Sequence, residues 1–352
     1  MERLYISEMV MLFLLALSTL LIARKFANKI GLVDKPNVRK KHQGEIPLVG
    51  GVSLGITLIA FTLFNLGEYP KGEVFAIAAA VLLTVGVIDD KYDLSAKLRM
   101  GIQVLLALLM VYLGHLELLY LGDLFGHGGI TLQSFPAVVV TVLAVIGAIN
   151  AFNMIDGIDG LLGCMTITTF LSLAAALWMA QDYELVYVCF VIIVAIIPFL
   201  FYNLGGAGSK YKIFMGDSGS MVIGFAVVWL LLSSTQDVSV TEHELQPMTV
   251  IWFIFVPLID MASIMWRRIR QGKSPFEADR GHLHHIILDN GFSSGQTLAF
   301  ISIFAIICSS VGLSLQLLKC PDSINFLSFI ACSALYHVSI SRVSLQPRNI
   351  DA

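Results

Sequence analysis

The sequence predicts an all-α, polytopic integral membrane protein with about eleven transmembrane helices, its N-terminus in the periplasm and its C-terminus in the cytoplasm. Hydrophobic residues make up 57% of the 352 residues and charged residues only 13%, and the mean hydropathy is +0.82. These values lie far from the averages of soluble globular proteins. Apolar runs recur along the whole chain, and Lys and Arg collect in every second connection between them.

The apolar runs define the predicted transmembrane helices. They are residues 4–22, 48–66, 74–88, 102–121, 135–149, 161–180, 185–201, 221–232, 248–266, 298–318 and 324–340. The third, fifth and eighth runs are short for a hydrocarbon core about 30 Å thick. The first run is expected to remain as an anchor, because no small-residue cleavage site follows it.

The positive-inside rule tests the orientation. With eleven spans and the N-terminus outside, nineteen of the 22 Lys and Arg residues fall in inner connections and three in outer ones. We expect one domain, residues 1–352, because nearly every polar stretch is too short to fold by itself. The net charge of −3 gives no indication of a nucleic-acid partner.

The inner connections contain the polar motifs, so a site facing the cytoplasm is expected from residues 24–47, 89–101, 150–161, 203–220 and 267–296. Five carboxylates lie where spans end at this face: Asp89, Asp90, Asp156, Asp159 and Asp217. Two carboxylates about 4 Å apart repel by roughly 4 kcal/mol at an effective dielectric of 20. A hard cation such as Mg²⁺ relieves this repulsion and usually also binds substrate phosphate. The motifs therefore predict a phosphate substrate, with separate helix caps and turns as the simpler alternative.

Basic and histidine side chains complete the predicted phosphate pocket. Lys97, near Arg99 in the second inner connection, is expected to contact substrate, although membrane topology alone also accounts for inner positive charge. The motif DRGHLHH holds His282, His284 and His285, for which phosphate or substrate contact, a solvated loop and a zinc site are the alternatives. On a helix, the first and third of these histidines would share a face and His284 would point away.

Asp260 lies deep within an apolar run. An ionisable group at such a depth indicates a functional or a paired site. Arg267 follows two turns later, so pairing with this basic helix end is the expected role, with catalysis as the alternative.

Five inner motifs occur in a fixed order along the chain: GLVDKPNVRKKHQGEIPLVGG, DDKYDLSAKLR, NAFNMIDGIDGLLG, YKIFMGDSGS and SPFEADRGHLHH. Together they resemble the polyprenyl-phosphate N-acetylhexosamine-1-phosphate transferases, and the resemblance covers nearly the whole chain. The HLHH form is similar to the branch that uses UDP-N-acetylglucosamine (UDP-GlcNAc). The resemblance implies a multi-pass enzyme of the bacterial inner membrane that transfers GlcNAc-1-phosphate to undecaprenyl phosphate, releases UMP and begins O-antigen or common-antigen synthesis.

The resemblance also implies roles for individual residues. Asn153 and Asp217 resemble metal ligands, with Mg²⁺ or Mn²⁺ bridging the pyrophosphate. Phe214 would stack on uracil, and Asp159 would bind it. The same motifs imply catalytic roles for Asp89, Asp90, Asp156 and Asp159, and phosphate or sugar contacts for Arg280, His282, His284 and His285.

Three alternatives stay open. A related transferase of the peptidoglycan-precursor branch would use another UDP-sugar, a polytopic transporter would use the inner acids as ion sites, and an intramembrane aspartyl protease would need two acids at matched depth. The partners that the resemblance implies are UDP-GlcNAc, undecaprenyl phosphate and the lipid bilayer. A homodimer is compatible with it, and the sequence leaves the oligomeric state open.

Overall fold

The computed structural model describes residues 2–36, 44–66, 71–236, 245–275 and 281–344. Within these ranges the chain forms thirteen α-helices, a 3₁₀ turn (Ser209–Tyr211) and one antiparallel strand pair, β1 (Val33–Asp34) with β2 (Ile46–Pro47). The helices are α1 (Glu2–Ile30), α2 (Gly50–Phe64), α3 (Gly72–Tyr92), α4 (Ala96–Tyr112), α5 (Phe135–Ile155), α6 (Leu161–Met179), α7 (Tyr183–Asn203), α8 (Asp217–Thr235), α9 (Pro247–Trp252), α10 (Phe255–Arg270), α11 (Leu283–Asp289), α12 (Ser294–Leu317) and α13 (Asp322–Ser344).

Eight of the described helices are long and apolar enough to cross a membrane: α1, α3, α5, α6, α7, α8, α12 and α13. Helix α2 is apolar but shorter. Large apolar side chains on the outer helices are exposed, such as Leu327 at 64% and Leu335 at 68% on α13. Extensive exposed apolar surface of this kind is typical of contact with lipid or another protein. The chain is therefore a multi-pass membrane protein.

The three short apolar runs belong to longer helices than predicted. Helices α3, α5 and α8 contain 21, 21 and 19 residues, because each continues from its apolar run into polar residues at one end. Helix α3 ends beyond Asp89 and Asp90, α5 ends beyond Asn153, and α8 begins at Asp217. The extensions place the polar motifs on helix ends.

The fourth predicted span is wrong in its second half. Helix α4 ends at Tyr112, and His115 has a left-handed backbone with φ 47°. The following segment leaves the helix because other groups satisfy its backbone: the side-chain oxygen of Gln236 accepts the N–H groups of Leu119 and Tyr120 at 2.9 and 2.8 Å.

The ninth predicted span, residues 248–266, is two helices rather than one. Helices α9 and α10 are separated at Phe253 and Ile254. Pro257 explains the break, because proline lacks an N–H and clashes with the carbonyl four residues earlier in a continuous helix. That carbonyl, on Phe253, instead accepts the hydroxyl of Thr169 at 2.9 Å.

Helix α8 is the centre of the bundle. It packs against α2, α3, α5 and α6, and its side chains are buried from Ser218 to Leu232. Its first turn approaches two neighbouring helices closely, since a Cβ at Gly51 would overlap the backbone of Gly219 and a Cβ at Gly86 that of Ser218. Small residues of this kind allow helix backbones to approach in membranes.

Candidate active site

The first turn of α8 is capped by a carboxylate from another helix. Asp90, in the last turn of α3, accepts the N–H of Asp217 at 2.7 Å and the N–H of Ser218 at 3.2 Å. Such N–H groups have no partner within their own helix, and negative charge is favourable beside them. Gly216 leaves room for the capping carboxylate, which a Cβ at this position would overlap. The acceptor groups of Asp90 are thus directed at the α8 backbone.

Asp217 and Asn153, the two predicted metal ligands, are in direct contact. The side-chain amide of Asn153 donates to Oδ1 of Asp217 at 2.6 Å and to the hydroxyl of Ser220 at 2.9 Å. The end of α5 and the beginning of α8 therefore bring an amide and a carboxylate together, close enough to share one cation.

Asp89 is buried, with 1% of its side chain exposed, and holds an arginine. Its carboxylate accepts Nη1–H of Arg99 at 2.8 Å and the N–H of Leu94 at 2.7 Å. The same guanidinium nitrogen lies 3.5 Å from Oδ2 of Asp217. Burial lowers the pKa of Arg99, but the hydrogen bond and charge of Asp89 outweigh it and raise that pKa overall.

Carboxylates from α3 and α8 thus gather around the guanidinium of Arg99. Repulsion between such groups, roughly 4 kcal/mol per pair at 4 Å and a dielectric of 20, favours a further positive charge. The amide of Asn153 and the carboxylate of Asp217 are hard oxygen donors that suit Mg²⁺ or Mn²⁺. Among the described residues no three His, Cys, Asp or Glu side chains group as metal ligands, and Mg²⁺ usually takes only one or two carboxylates besides water and substrate phosphate. The donor set fits such a cation.

Asp159 and Phe214 form a second group through Lys212. The ammonium of Lys212 pairs with the carboxylate of Asp159 and lies 5.4 Å from the centre of the Phe214 ring, within cation–π range. The backbone of Phe214 is fixed to β2 and to the start of α2, because its N–H donates to the carbonyl of Pro47 at 2.9 Å and its carbonyl accepts the N–H of Gly50 at 3.0 Å.

Asn203, which the sequence argument did not single out, joins the two loops of this group. This side chain, 4% exposed, accepts the N–H of Gly160 at 2.6 Å and donates to the carbonyl of Ile213 at 2.9 Å. A buried amide that satisfies two backbone groups fixes both loops. The signal available in the sequence was an asparagine at the apolar end of a span, the first residue of the motif NLGGAG.

The ring of His284 approaches the chain just after the end of α5, at Gly157. Asp156 is the exposed residue that ends this helix. The next residue, Gly157, lies against the ring of His284, where a Cβ would overlap the ring. The absence of a side chain at Gly157 thus allows the histidine motif to meet the loop between Asp156 and Asp159.

The histidines are arranged differently from the helical prediction. His282 precedes α11 with an extended backbone, φ −68° and ψ 151°, so helical spacing does not apply to it. Its ring stacks on that of His284 with centroids 5.5 Å apart, and the rings of His284 and His285 are 4.2 Å apart. The prediction that His284 points away from its neighbours is wrong.

The remaining predicted positions have varied outcomes. Asp260 is 1% exposed, and its described partners come from α11 and α13 rather than from the basic end of its own helix. Arg267 donates to the carbonyl of Gly281 at 2.5 Å. Lys97 is exposed in the first turn of α4, where Arg99 rather than Lys97 reaches the carboxylates. Arg280 lies outside the described residues.

These side chains come together because they lie at helix ends that face the same way. The ends of α3, α5 and α7 and the beginnings of α4, α6 and α8 all supply them. The result is an anionic group that suits a divalent cation and, beside it, a group with a lysine and an aromatic ring. Such an arrangement can bind a phosphorylated, cation-bridged substrate that carries a planar base.

Comparison with known proteins agrees with this chemistry. The sequence profile of glycosyl transferase family 4 matches residues 72–235. The chain is 45% identical to the undecaprenyl-phosphate alpha-N-acetylglucosaminyl 1-phosphate transferase of Pasteurella multocida strain Pm70. The alignment extends over 336 residues and covers 95% of this chain and 93% of that protein. Proteins of the same name from Salmonella typhi and Escherichia coli strain K12 are 43% and 42% identical, over 96% of this chain and 91% of each protein.

Proposed function

The chain belongs to glycosyl transferase family 4, and we propose that it transfers GlcNAc-1-phosphate from UDP-GlcNAc to undecaprenyl phosphate. The products are UMP and GlcNAc-diphosphate-undecaprenol, and the reaction is a first membrane step of O-antigen or common-antigen synthesis. Relatives that carry the name of this reaction align with nearly the whole chain, which supports the proposal.

The contact between Asn153 and Asp217 is the observation that carries the proposal in structural terms. These side chains would hold Mg²⁺ or Mn²⁺, which when bound neutralises pyrophosphate charge and favours departure of UMP. Arg99 adds a fixed positive charge beside Asp217. Phosphoryl transfer needs mainly in-line positioning and charge neutralisation, and Arg99 together with the proposed cation would supply the charge neutralisation.

In this reaction an oxygen of the lipid phosphate attacks the β-phosphorus of UDP-GlcNAc. Asp89 and Asp90 are both occupied by strong donors, Arg99 for the first and the α8 backbone for the second. We therefore assign these acids to building and charging the site rather than to removing a proton. A phosphate oxygen is already ionised near neutral pH and needs little help from a base.

The second group would bind the nucleotide sugar. Phe214 would stack on uracil, Asp159 would accept from it, and Asp156 would lie near the sugar. When the nucleotide binds, the ammonium of Lys212 would leave Asp159 and pair with a phosphate of the nucleotide. Lys97, Arg280, His282, His284 and His285 are proposed contacts to phosphate or sugar.

We extend the proposal to the membrane. In this proposal the protein crosses the inner membrane eleven times, with α9 and α10 together as one broken span. Its N-terminus lies in the periplasm and its site at the cytoplasmic face. The end of the bundle that carries the carboxylates also carries basic residues such as Arg24 and Lys210, as expected for a cytoplasmic face. The guanidinium of Arg24 donates to the backbone carbonyl of Lys210 at 2.7 Å. The carboxylates of Asp89, Asp90 and Asp217 lie at helix ends, an arrangement that suits a substrate arriving from water better than a midplane transport path.

The experiment is a transfer assay with the purified protein in detergent or nanodiscs. UDP-GlcNAc and undecaprenyl phosphate should give UMP when Mg²⁺ is present, EDTA should stop the reaction, and added Mg²⁺ should restore it. Competition with UDP-GalNAc and with the muramoyl-pentapeptide nucleotide tests the sugar. Preferred turnover of the muramoyl nucleotide would assign the chain to the peptidoglycan-precursor branch, and no UMP with any of the three would reject the proposal.

A further inference from the structure

Asp260 is buried in the middle of α10 and accepts hydrogen bonds from three donors. Its carboxylate oxygens lie 2.9 Å from Nδ1 of His282, 3.0 Å from the N–H of Leu283 and 2.8 Å from the hydroxyl of Tyr336. Burying a carboxylate in an apolar helix costs free energy unless donors surround it. Because a carboxylate only accepts, the proton of its bond to His282 lies on Nδ1.

The bond to His282 connects Asp260 with the candidate active site. His282 ends the loop before α11, and the N–H of Leu283 is the first of that helix. The ring of His282 stacks on His284 with an interplanar angle of 11°, and the ring of His284 lies against Gly157 in the loop beside Asp159. A continuous set of contacts thus runs from α10 to the proposed nucleotide-sugar group.

We propose that Asp260 is a positioning residue: it keeps the proton of His282 on Nδ1 and fixes the start of α11, which holds His284 against the loop at Gly157. This inference rests on the proposed function, in which the histidines contact phosphate or sugar. A carboxylate bonded to one ring nitrogen sets the tautomer and the orientation of the imidazole. Nε2 of His282 is then the nitrogen that remains available to bind or to exchange a proton.

The first test is Asp260→Asn, which keeps the shape of the side chain but removes its charge and adds a donor that stabilises the other tautomer. We expect kcat for GlcNAc-1-phosphate transfer to fall about tenfold or more. Ser263→Ala is the matched control, because it removes the neighbouring α10–α13 hydrogen bond between Ser263 and His337, 2.7 Å long, and leaves Asp260 in place. An unchanged kcat in Asp260→Asn, or an equal loss in Ser263→Ala, would overturn the positioning role.

A double-mutant comparison separates positioning from general destabilisation. If Asp260 acts through His282, Asp260→Asn should have almost no further effect on kcat in a His282→Asn background. The imidazole that Asp260 positions is already absent from that background. The same fold-loss in both backgrounds would show that Asp260 acts by another route.

Nuclear magnetic resonance of protein labelled with ¹⁵N-histidine tests the tautomer without any assay of transfer. With the His282→Asn variant used to assign the signal, we expect the wild-type His282 to be protonated on Nδ1 and the Asp260→Asn spectrum to change. A wild-type His282 protonated on Nε2 alone would overturn the inference. A protein with the expected spectrum but without transferase activity would instead reject the proposed function and leave the tautomer assignment standing.

Discussion

Asp90 holds Asp217 through the backbone, since its carboxylate accepts the N–H that begins α8 at 2.7 Å. The carboxylate offered to the proposed cation is therefore positioned by a second carboxylate from α3. Asn153, at the end of α5, donates to the side chain of Asp217 at 2.6 Å. Three helix ends thus fix one acidic side chain, as electrostatic catalysis requires of groups that do not reorganise during the reaction.

We predict that Asp217→Asn abolishes transfer, with a loss of about a hundredfold or more, while the protein still inserts and purifies normally. The amide still accepts from Asn153, so the packing survives, but the charge that holds the cation is lost, and metal neutralisation is worth several kcal/mol. UMP release measured over a wide range of Mg²⁺ concentrations checks this. Near-normal turnover would refute the metal assignment.

Asp90→Asn should lower both kcat and the melting temperature. An asparagine offers one carbonyl oxygen in place of two carboxylate oxygens, so one of the N–H groups of Asp217 and Ser218 loses its acceptor, at a cost of about 1 kcal/mol, and the favourable charge at the α8 terminus is lost. Asp182→Asn is the control, because Asp182 caps α7 at the other end of the bundle and Asn is an equally good cap. Equal effects of the two substitutions would contradict the assigned role of Asp90.

Arg99→Ala should destabilise the protein by about 3–5 kcal/mol, because it leaves Asp89 buried with its charge uncompensated. Combining it with Asp89→Asn should recover much of the stability but not the transfer activity, since Asp217 still lacks its guanidinium. Thermal unfolding in detergent and UMP release measure the two effects separately. Lys97 is exposed two residues before Arg99 in α4, so Lys97→Gln should leave stability unchanged and report on substrate contact alone through KM. No recovery in the double variant would argue against the Asp89–Arg99 pairing.

Much of this arrangement could be predicted from the sequence. The apolar runs fall mostly on described helices, apart from the second half of the fourth run and the break within the ninth. Because successive spans of the predicted topology alternate in direction, every second connection is expected at one face. This is why Asn153 and Asp217, 64 residues apart, could be placed in one site before their contact was known.

The pairing of individual side chains could not be predicted. Whether Arg99 or Lys97 reaches Asp89 depends on how α4 is rotated, and the capping of α8 by Asp90 depends on the close approach at Gly86. Pro257 indicates the break at Phe253, but the continuous hydropathy of residues 248–266 predicts a single span. The partners of Asp260 come from α11 and α13, which no spacing along α10 could indicate.

Phe214→Leu should raise KM for UDP-GlcNAc about five- to 150-fold with a smaller change in kcat, because stacking of a base on an aromatic ring is worth about 1–3 kcal/mol. The substitution should leave the fold intact, since the backbone N–H and carbonyl of Phe214 fix it to β2 and to the start of α2. Phe214→Tyr keeps the ring and should keep KM near the wild-type value, which makes it the matched control. Titration of UDP into the protein in the absence of lipid phosphate measures the same effect directly, as a change in the Kd for UDP. If both variants bound UDP as the wild type does, uracil would have to lie elsewhere, and the assignment of Phe214 and its neighbour Lys212 to the nucleotide would be wrong.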